Sequence, residues 1–128
     1  MTATVTVDAT ELDQLTTSFQ ALPPRVQAEC LRVVDRAAVN IKRDARAAVK
    51  GLAHAPAYPY SITYDLRWDQ QVYEAEIGPD KTRRQGALGN LIEYGSVNNP
   101  PRPHLGPALQ AEAPRMAAAL EAAIGRLL

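Results

Sequence analysis

The chain has 128 residues, of which 46% are apolar and 22% charged, and its formal net charge is zero. This length predicts a single domain spanning 1–128 with a modest hydrophobic core, and the composition excludes wholesale disorder. A zero net charge argues against a free-standing nucleic-acid-binding domain, and no apolar run approaches the ~20 residues that span a membrane.

The first part of the chain predicts a strand and then a helix. Polar and apolar β-branched residues alternate over 4–7, which is the pattern of a short strand. Apolar residues then recur at intervals of three and four over 12–22, which predicts an amphipathic helix. Pro23 and Pro24 are expected to end this helix and to begin the next one.

A long amphipathic helix after these prolines is the strongest structural prediction. Its single cysteine, Cys30, excludes an internal disulfide and is expected to be a small buried hydrophobe. Gly51 stands where a C-terminal cap is expected. Apolar residues at three- and four-residue spacing predict a shallow buried seam: Leu31, Val34, Ala38, Ile41, Ala45, Ala48 and Leu52.

The middle of the chain predicts an antiparallel hairpin. Apolar and polar residues alternate over 60–68, and they alternate again over 73–77, where Gly78 and Pro79 close the second strand. We expect the first strand's aromatic residues to form a core layer beneath the long helix, because no basic residue is interleaved with them to make a base-stacking platform. The apolar residues of this first strand share one parity: Tyr60, Ile62, Tyr64, Leu66 and Trp68.

The last third predicts a short helix, a proline-rich connector and a final helix. Apolar residues over 88–92 indicate one or two helical turns capped by Gly95. Those over 105–127 indicate a C-terminal helix. Pro114 is expected either to bend this helix or to start its main segment. The predicted fold class is therefore α+β, with a long amphipathic helix and a C-terminal helix packed on a small antiparallel sheet.

Residues for catalysis or metal binding are few. His54 and His104 lie about fifty residues apart in proline-rich loops, and no cysteine or histidine stands at ligand spacing from either. No Gly-x-Ser-x-Gly motif and no phosphate-cradling glycine loop is present. We therefore predict no catalytic, cofactor or metal site. The alternative from another class is a small cytosolic enzyme or toxin-like domain that uses His54 or His104.

Charge is distributed in blocks along the chain. Bases minus acids give −3 over 1–24, +4 over 25–50, −4 over 51–80 and +3 over 81–128. This pattern suits a protein that packs complementary faces against neighbours, and it equally suits several solvated helix and strand faces.

A basic loop opens the last of these blocks. Lys81, Arg83 and Arg84 lie close together between residues that break helices and strands. Three interpretations stay open: contact with the phosphates of DNA passing through a channel, contact with an acidic patch on a neighbouring subunit, or a solvated loop.

The most informative stretch precedes the final helix. A tetrad, Glu93-Tyr94-Gly95-Ser96, is followed by the connector and helix start, Pro101-Arg102-Pro103-His104-Leu105-Gly106-Pro107-Ala108-Leu109. This ordered set resembles the signature of a tailed-phage family of tail-completion, or head–tail joining, proteins, tail components of lambdoid-type siphophages. Members carry Glu-aromatic-Gly-Thr/Ser and then Pro-x-Pro-aromatic-Leu-x-Pro-Ala-Leu. Here His104 replaces the usual aromatic, and Tyr58-Pro59-Tyr60 replaces an Asp-Thr-Gly-x-Leu-Arg turn.

The resemblance implies a non-enzymatic virion structural protein of the neck/tail junction, made in the host cytoplasm. It implies a homo-hexameric ring that joins the tail to head-completion proteins around a DNA channel; the alternative is a tail terminator that caps the tail tube. The implied partners are other copies of the chain, head-completion or stopper proteins, tail terminator and tail tube proteins. Packaged DNA would lie nearby without specific contacts, and no membrane or cofactor is implied.

Subunit-interface or hinge residues are expected within this motif. Tyr94 and Leu105 either anchor a neighbouring subunit or pin the C-terminal helix to the core, and both readings stay open. The full candidate set is Glu93, Tyr94, Gly95, Ser96, Pro101, Arg102, Pro103, His104, Leu105 and Pro107.

Overall fold

Three strands and three helices make up the part of the chain that the computed structural model describes, residues 3–8, 23–68 and 72–127. Single turns of 3-10 helix, Tyr58–Ser61 and Gly86–Leu88, lie between them. The helix predicted over 12–22 lies outside the described residues. In chain order the elements are β1 (Ala3–Asp8), α1 (Pro24–Ala48), β2 (Ile62–Trp68), β3 (Val72–Pro79), α2 (Gly89–Tyr94) and α3 (Leu105–Leu127).

Helix α1 confirms the predicted long amphipathic helix. It begins with a proline, which suits a first turn because that position needs no N–H donor. Ala48 was predicted to belong to the seam but is exposed, because the helix ends there and Val49 takes the buried position instead. The buried side of the helix consists of Val26, Cys30, Val34, Ala37, Ala38, Ile41 and Ala45.

The strands form one antiparallel sheet in the order β1-β3-β2. The predicted hairpin is the β2–β3 pair, and β1 adds to the other side of β3. Along β3 the predicted alternation is confirmed, since Tyr73, Ala75 and Ile77 are buried whereas Glu74 and Glu76 are partly exposed. The helices therefore cover one face of the sheet, and the carboxylates lie on the other.

The aromatic face of β2 departs from the predicted core layer. Tyr60 is 66% exposed because it lies in the 3-10 turn before the strand, where strand alternation does not apply. Tyr64 is half-buried and donates its hydroxyl proton to Asp35 Oδ1 at 2.9 Å, so it lies at the edge of the helix layer. Leu66 is half-exposed, and the side chain of Trp68 lies outside the described residues.

Helix α3 packs against α1 and contacts β1. It begins at Leu105, well before Pro114, so the proline does not start the helix. The carbonyl that Pro114 leaves without its usual amide partner belongs to Gln110, which is exposed and can be hydrated. The main core joins α1, both strands of the hairpin and the start of α3; its largest members are Ile41, Tyr58, Ile62, Ile77 and Leu105.

Removing a seam residue tests this arrangement. Ile41 has no exposed surface, and Ile41→Ala should lower the free energy of unfolding by about 2–5 kcal/mol, because lost burial adds to the cost of a cavity. Urea denaturation measures the change. The control, Val39→Ala on the exposed side of the same helix, should cost less than about 1 kcal/mol. Equal losses would contradict the assigned seam.

Candidate functional site

The motif singled out in the sequence folds into the segment that joins α2 to α3, here called the α2–α3 junction (residues 93–107). After α2 the backbone amides and carbonyls of Ser96 and Asn99 exchange two hydrogen bonds, at 2.9 and 3.2 Å. These bonds close a tight turn whose tip carries Val97, a fully exposed apolar side chain. Prolines then lead the chain to the start of α3 at Leu105.

Glu93 caps the N-terminus of α3 from the preceding helix. Its Oε1 accepts hydrogen bonds from the backbone N–H groups of His104 (3.1 Å) and Leu105 (2.9 Å), and its Oε2 accepts a longer one from Gly106 (3.4 Å). Such donors have no partner within a helix. Pro107, which comes next, has no N–H to satisfy. A carboxylate is also favoured at this positive end of the helix dipole.

His104 links this cap to the core. Its Nδ1 lies 3.0 Å from the carbonyl oxygen of Arg102 and 3.0 Å from Glu93 Oε1. A carbonyl only accepts, so Nδ1 carries the proton and Nε2 accepts from the Tyr58 hydroxyl at 2.7 Å. The two rings meet edge to face, with centroids 5.3 Å apart. Both side chains are buried, so the chain of hydrogen bonds is enclosed.

The protonation states follow from this enclosure. Burial lowers the pKa of His104 below its ordinary 6.5, although the Arg102 carbonyl and the Glu93 carboxylate partly oppose the shift. Burial, and secondly the charge of Glu93, raises the pKa of Tyr58. At neutral pH the imidazole is therefore uncharged, and Tyr58 keeps the proton that it donates to Nε2.

Gly95 allows the chain to reverse after α2. Its φ of 83° and ψ of 173° fall in a region that is essentially restricted to glycine. A Cβ atom there would come within 2.8 Å of the Pro101 nitrogen and 3.0 Å of the Asn99 carbonyl oxygen. The position thus needs glycine both for its backbone conformation and for its lack of a side chain.

Arg102 ties the connector to two other helices. Its backbone N–H donates to the carbonyl of Ile92 in α2 at 2.7 Å. Its Nε donates to the carbonyl of Ala48, the last residue of α1, at 2.9 Å. A cation at a helix C-terminus complements the dipole and satisfies a terminal carbonyl. The connector is therefore held at α1, α2 and α3.

The structure separates the candidate residues of the motif into an interior and a surface group. Glu93, His104 and Leu105 are at most 5% exposed, so they hold the junction together and offer no surface to a neighbour. Leu105 is a fully buried member of the main core, whereas Tyr94 is 64% exposed. Gly95 is half-buried, and the exposed group consists of Tyr94, Ser96, Pro101, Arg102, Pro103 and Pro107.

An apolar groove of about 520 Å³ lies beside the junction. Leu91, 53% exposed, forms part of its wall, and His54 is exposed on its rim. His54 lies at this groove, whereas His104 is buried in the α2–α3 junction, so the fold does not bring the two histidines together. The apolar lining is Leu52, Ala53, Ala55, Leu88, Leu91, Ile92, Pro100 and Pro101.

The basic loop lies beside the β2 edge of the sheet, and its three bases differ in their contacts. Arg83 donates from its guanidinium to the carbonyl of Tyr60 at 3.1 Å and lies 3.7 Å from the Asp80 carboxylate. Its own chain thus holds it in place. Lys81 and Arg84 are exposed, which leaves both within reach of a partner. The three bases are equivalent in the sequence, and only contacts across the fold distinguish Arg83 from the other two.

These features define the protein as a small α+β domain in which one helix caps the next through a buried carboxylate. Within the described ranges, no group of three or more His, Cys, Asp and Glu side chains is placed to hold a metal ion. Across the same ranges, no helix has both the length and the apolar character needed to cross a membrane. No family model, curated protein or solved structure matches the chain.

A pair of glycines tests the need for glycine at the junction. Gly95→Ala should lower the free energy of unfolding by at least about 2 kcal/mol, because it adds a steric clash to an unfavourable backbone conformation. Gly51→Ala is the matched control: φ there is +85°, yet nothing lies within 4 Å of an added Cβ. It should cost only about 1 kcal/mol. Denaturant unfolding compares the two, and an equal cost would refute the close approach at Gly95.

The buried imidazole predicts a pH dependence of stability. Because the folded pKa of His104 is lowered below 6.5, the unfolded chain takes up a proton first as pH falls. The free energy of unfolding should therefore fall below pH 6.5, by up to about 1.4 kcal/mol per pH unit, until the folded pKa is reached. Denaturation at pH 7.5 and 5.5 measures this loss in wild type and in His104→Gln. A loss of the same size in the variant would contradict the assignment.

Proposed function

We propose that this chain is a non-enzymatic virion structural protein of the neck–tail junction of a long-tailed phage. It assembles as a ring with sixfold symmetry and joins the tail to head-completion proteins around a DNA channel. The starting point is the ordered resemblance carried by residues 93–109. The order of strand, long helix, hairpin, short helix and final helix agrees with the layout that this resemblance implies.

The observation that carries the proposal is the use of the motif's polar residues inside the fold. Glu93 is occupied by three backbone donors, and His104 by Tyr58 and the Arg102 carbonyl. A general acid or base has to come within hydrogen-bond distance of its substrate. A buried ring with both nitrogens occupied does not offer that access. A role in shape and assembly accounts for these residues better than a role in turnover.

Exposed apolar side chains at the junction support contacts with other subunits. Leu91, Tyr94 and Val97 are between 53% and 101% exposed; Leu91 lines the apolar groove, and Tyr94 and Val97 lie within two residues of Ser96, which lines it too. Exposed apolar patches of this kind mark protein–protein contact sites. Because the junction is braced at three helices, these side chains are presented from a rigid support, which reduces the ordering cost of association.

The charges favour proximity to DNA over tight binding. Lys81, Arg83 and Arg84 are all exposed, Arg83 being held by its contacts with Tyr60 and Asp80, whereas the whole chain has no net charge. A few phosphate contacts per subunit give weak, salt-sensitive affinity for free duplex DNA. Several loops arranged around a ring would still line a channel with positive charge.

Assembly of the purified protein tests the proposal. We expect closed rings by analytical ultracentrifugation and negative-stain imaging at high concentration, and the protein among the components of purified virions. Tyr94→Asp should weaken assembly by at least about tenfold, because it places a charge in an apolar contact. Tyr60→Asp is the matched control, since Tyr60 is similarly exposed, at 66% against 64%, but lies outside the junction.

Two outcomes would overturn the proposal. One is a protein that stays monomeric at every concentration and is missing from virions. The other is turnover of a small substrate that disappears in His104→Gln while the fold, followed by circular dichroism, is retained.

A further inference from the structure

A second groove lies between α1 and α3, with a volume of about 380 Å³. All of its lining residues belong to these two helices. Apolar side chains, four of them alanines, form the floor: Val33, Ala37, Met116, Ala119, Ala122 and Ala123. Four arginines form the rim, and we call the whole feature the arginine groove: Arg32, Arg36, Arg115 and Arg126.

The rim is positively charged beyond what its own acids neutralise. The Glu29 carboxylate accepts a hydrogen bond from Arg32 at 2.7 Å and forms a longer ion pair with Arg126 at 3.9 Å. With Glu112, the groove holds two acids against four arginines, which leaves a net charge of +2. The arginines are largely exposed, so their charge is available to a partner.

One carboxylate oxygen in this groove lacks a donor. Glu112 is 4% exposed, and its Oε1 accepts from Asn40 Nδ2 at 2.9 Å. Its Oε2 has no hydrogen-bond partner within the described part of the chain, and the nearest cation, Arg115, is 3.7 Å away. Buried polar atoms are nearly always hydrogen-bonded, so either a small movement of Arg115 or a donor that enters the groove would complete the hydrogen bonding of this oxygen.

The opposite layer of the molecule carries the complementary charge. On the face of the hairpin that the helices leave uncovered, Asp65, Glu74 and Glu76 surround Arg67. Asp65 stands opposite Glu76 in the strand register and Arg67 opposite Glu74, while the Arg67 guanidinium lies 3.0 Å from the Glu76 carboxylate. Three acids against one base give these four residues a net charge of −2, and Asp80, Lys81 and Arg83 beside them bring the total over all seven to −1. We call these four residues the acidic sheet face.

We propose that the arginine groove of one copy receives the acidic sheet face of the next copy. The two surfaces carry net charges of opposite sign, and their centres match as well. A cation, Arg67, stands among the acids of one face, and a carboxylate short of a donor, Glu112, lies among the arginines of the other. The alanine floor lets the sheet approach closely. Electrostatic complementarity of this kind selects the partner and fixes the register of a contact.

The contact is head-to-tail, because its two halves lie on opposite layers of the same subunit. Contacts between unlike patches close into rings when the rotation allows it. This inference rests on the proposed ring and adds to it the two surfaces that meet in each contact.

Charge exchange between two variants tests the contact. The groove variant is Arg36→Glu with Arg115→Glu, and the sheet variant is Asp65→Arg with Glu74→Arg. Each alone should self-associate at least about tenfold more weakly than wild type in analytical ultracentrifugation, because like charges then face each other. An equimolar mixture should regain assembly, since opposite charges meet again at every contact of an alternating oligomer. Misfolded variants would not be rescued by mixing.

A matched control and a salt series complete the experiment. Arg43→Glu with Lys50→Glu changes the net charge by the same −4 as the groove variant, at two exposed bases outside both surfaces, and it should assemble within about twofold of wild type. Raising salt from about 0.05 to 0.5 M should weaken wild-type assembly, because screening shortens the reach of these charges.

The contrary results separate this contact from the ring itself. If wild type forms rings and both variants do so equally well, the arginine groove is not the contact, although the ring proposal stands. If wild type is monomeric under all conditions, both proposals fail. If wild type is monomeric and binds duplex DNA or an acidic protein that the groove variant no longer binds, the groove has a different occupant and the inference is overturned.

Discussion

The burial of the Glu93 carboxylate at the start of α3 is the interaction on which the rest of the junction depends. A buried carboxylate is strongly unfavourable unless its oxygens accept hydrogen bonds, and three successive backbone N–H groups at the start of α3 provide them. The acceptor belongs to α2, and the donors are the residue before α3 and the first two residues of α3, so the bonds fix one helix against the other. His104 is then held beside Tyr58, and Leu105 enters the core.

The position of α3 decides which surfaces remain for other molecules. With α3 fixed against α1, arginines from the positive blocks 25–50 and 81–128 come together on one layer. The carboxylates of the negative block 51–80 lie on the uncovered face of the sheet. Charge blocks that look unremarkable along the chain thus become two opposite faces in the fold. The exposed apolar side chains at the junction add a third surface, which the ring proposal assigns to contacts between subunits.

Local patterns predicted the elements, but they did not predict the contacts that join them. The apolar seam of α1 and the alternation along β3 depend only on which side of one element is buried, so periodicity was sufficient. Tyr60 broke its pattern because a 3-10 turn, not a strand, holds it. Glu93 lies eleven residues before His104, the first residue whose amide donates a hydrogen bond to it. Capping rules consider only the few residues next to the helix start. The partner of His104 is 46 residues away, and no sequence signal pairs His104 with Tyr58.

Hydrogen exchange of single backbone amides in Glu93→Gln tests the central claim most directly. The substitution keeps the size of the side chain but replaces one accepting oxygen by a donor group. Of the amides of Leu105 and Gly106, the one that faces the new NH2 group should exchange faster by about tenfold to a hundredfold, the equivalent of roughly 1–3 kcal/mol for an unsatisfied donor. Glu121→Gln, an exposed position on the same helix, should leave them unchanged. Wild-type protection of both amides in Glu93→Gln would contradict the account.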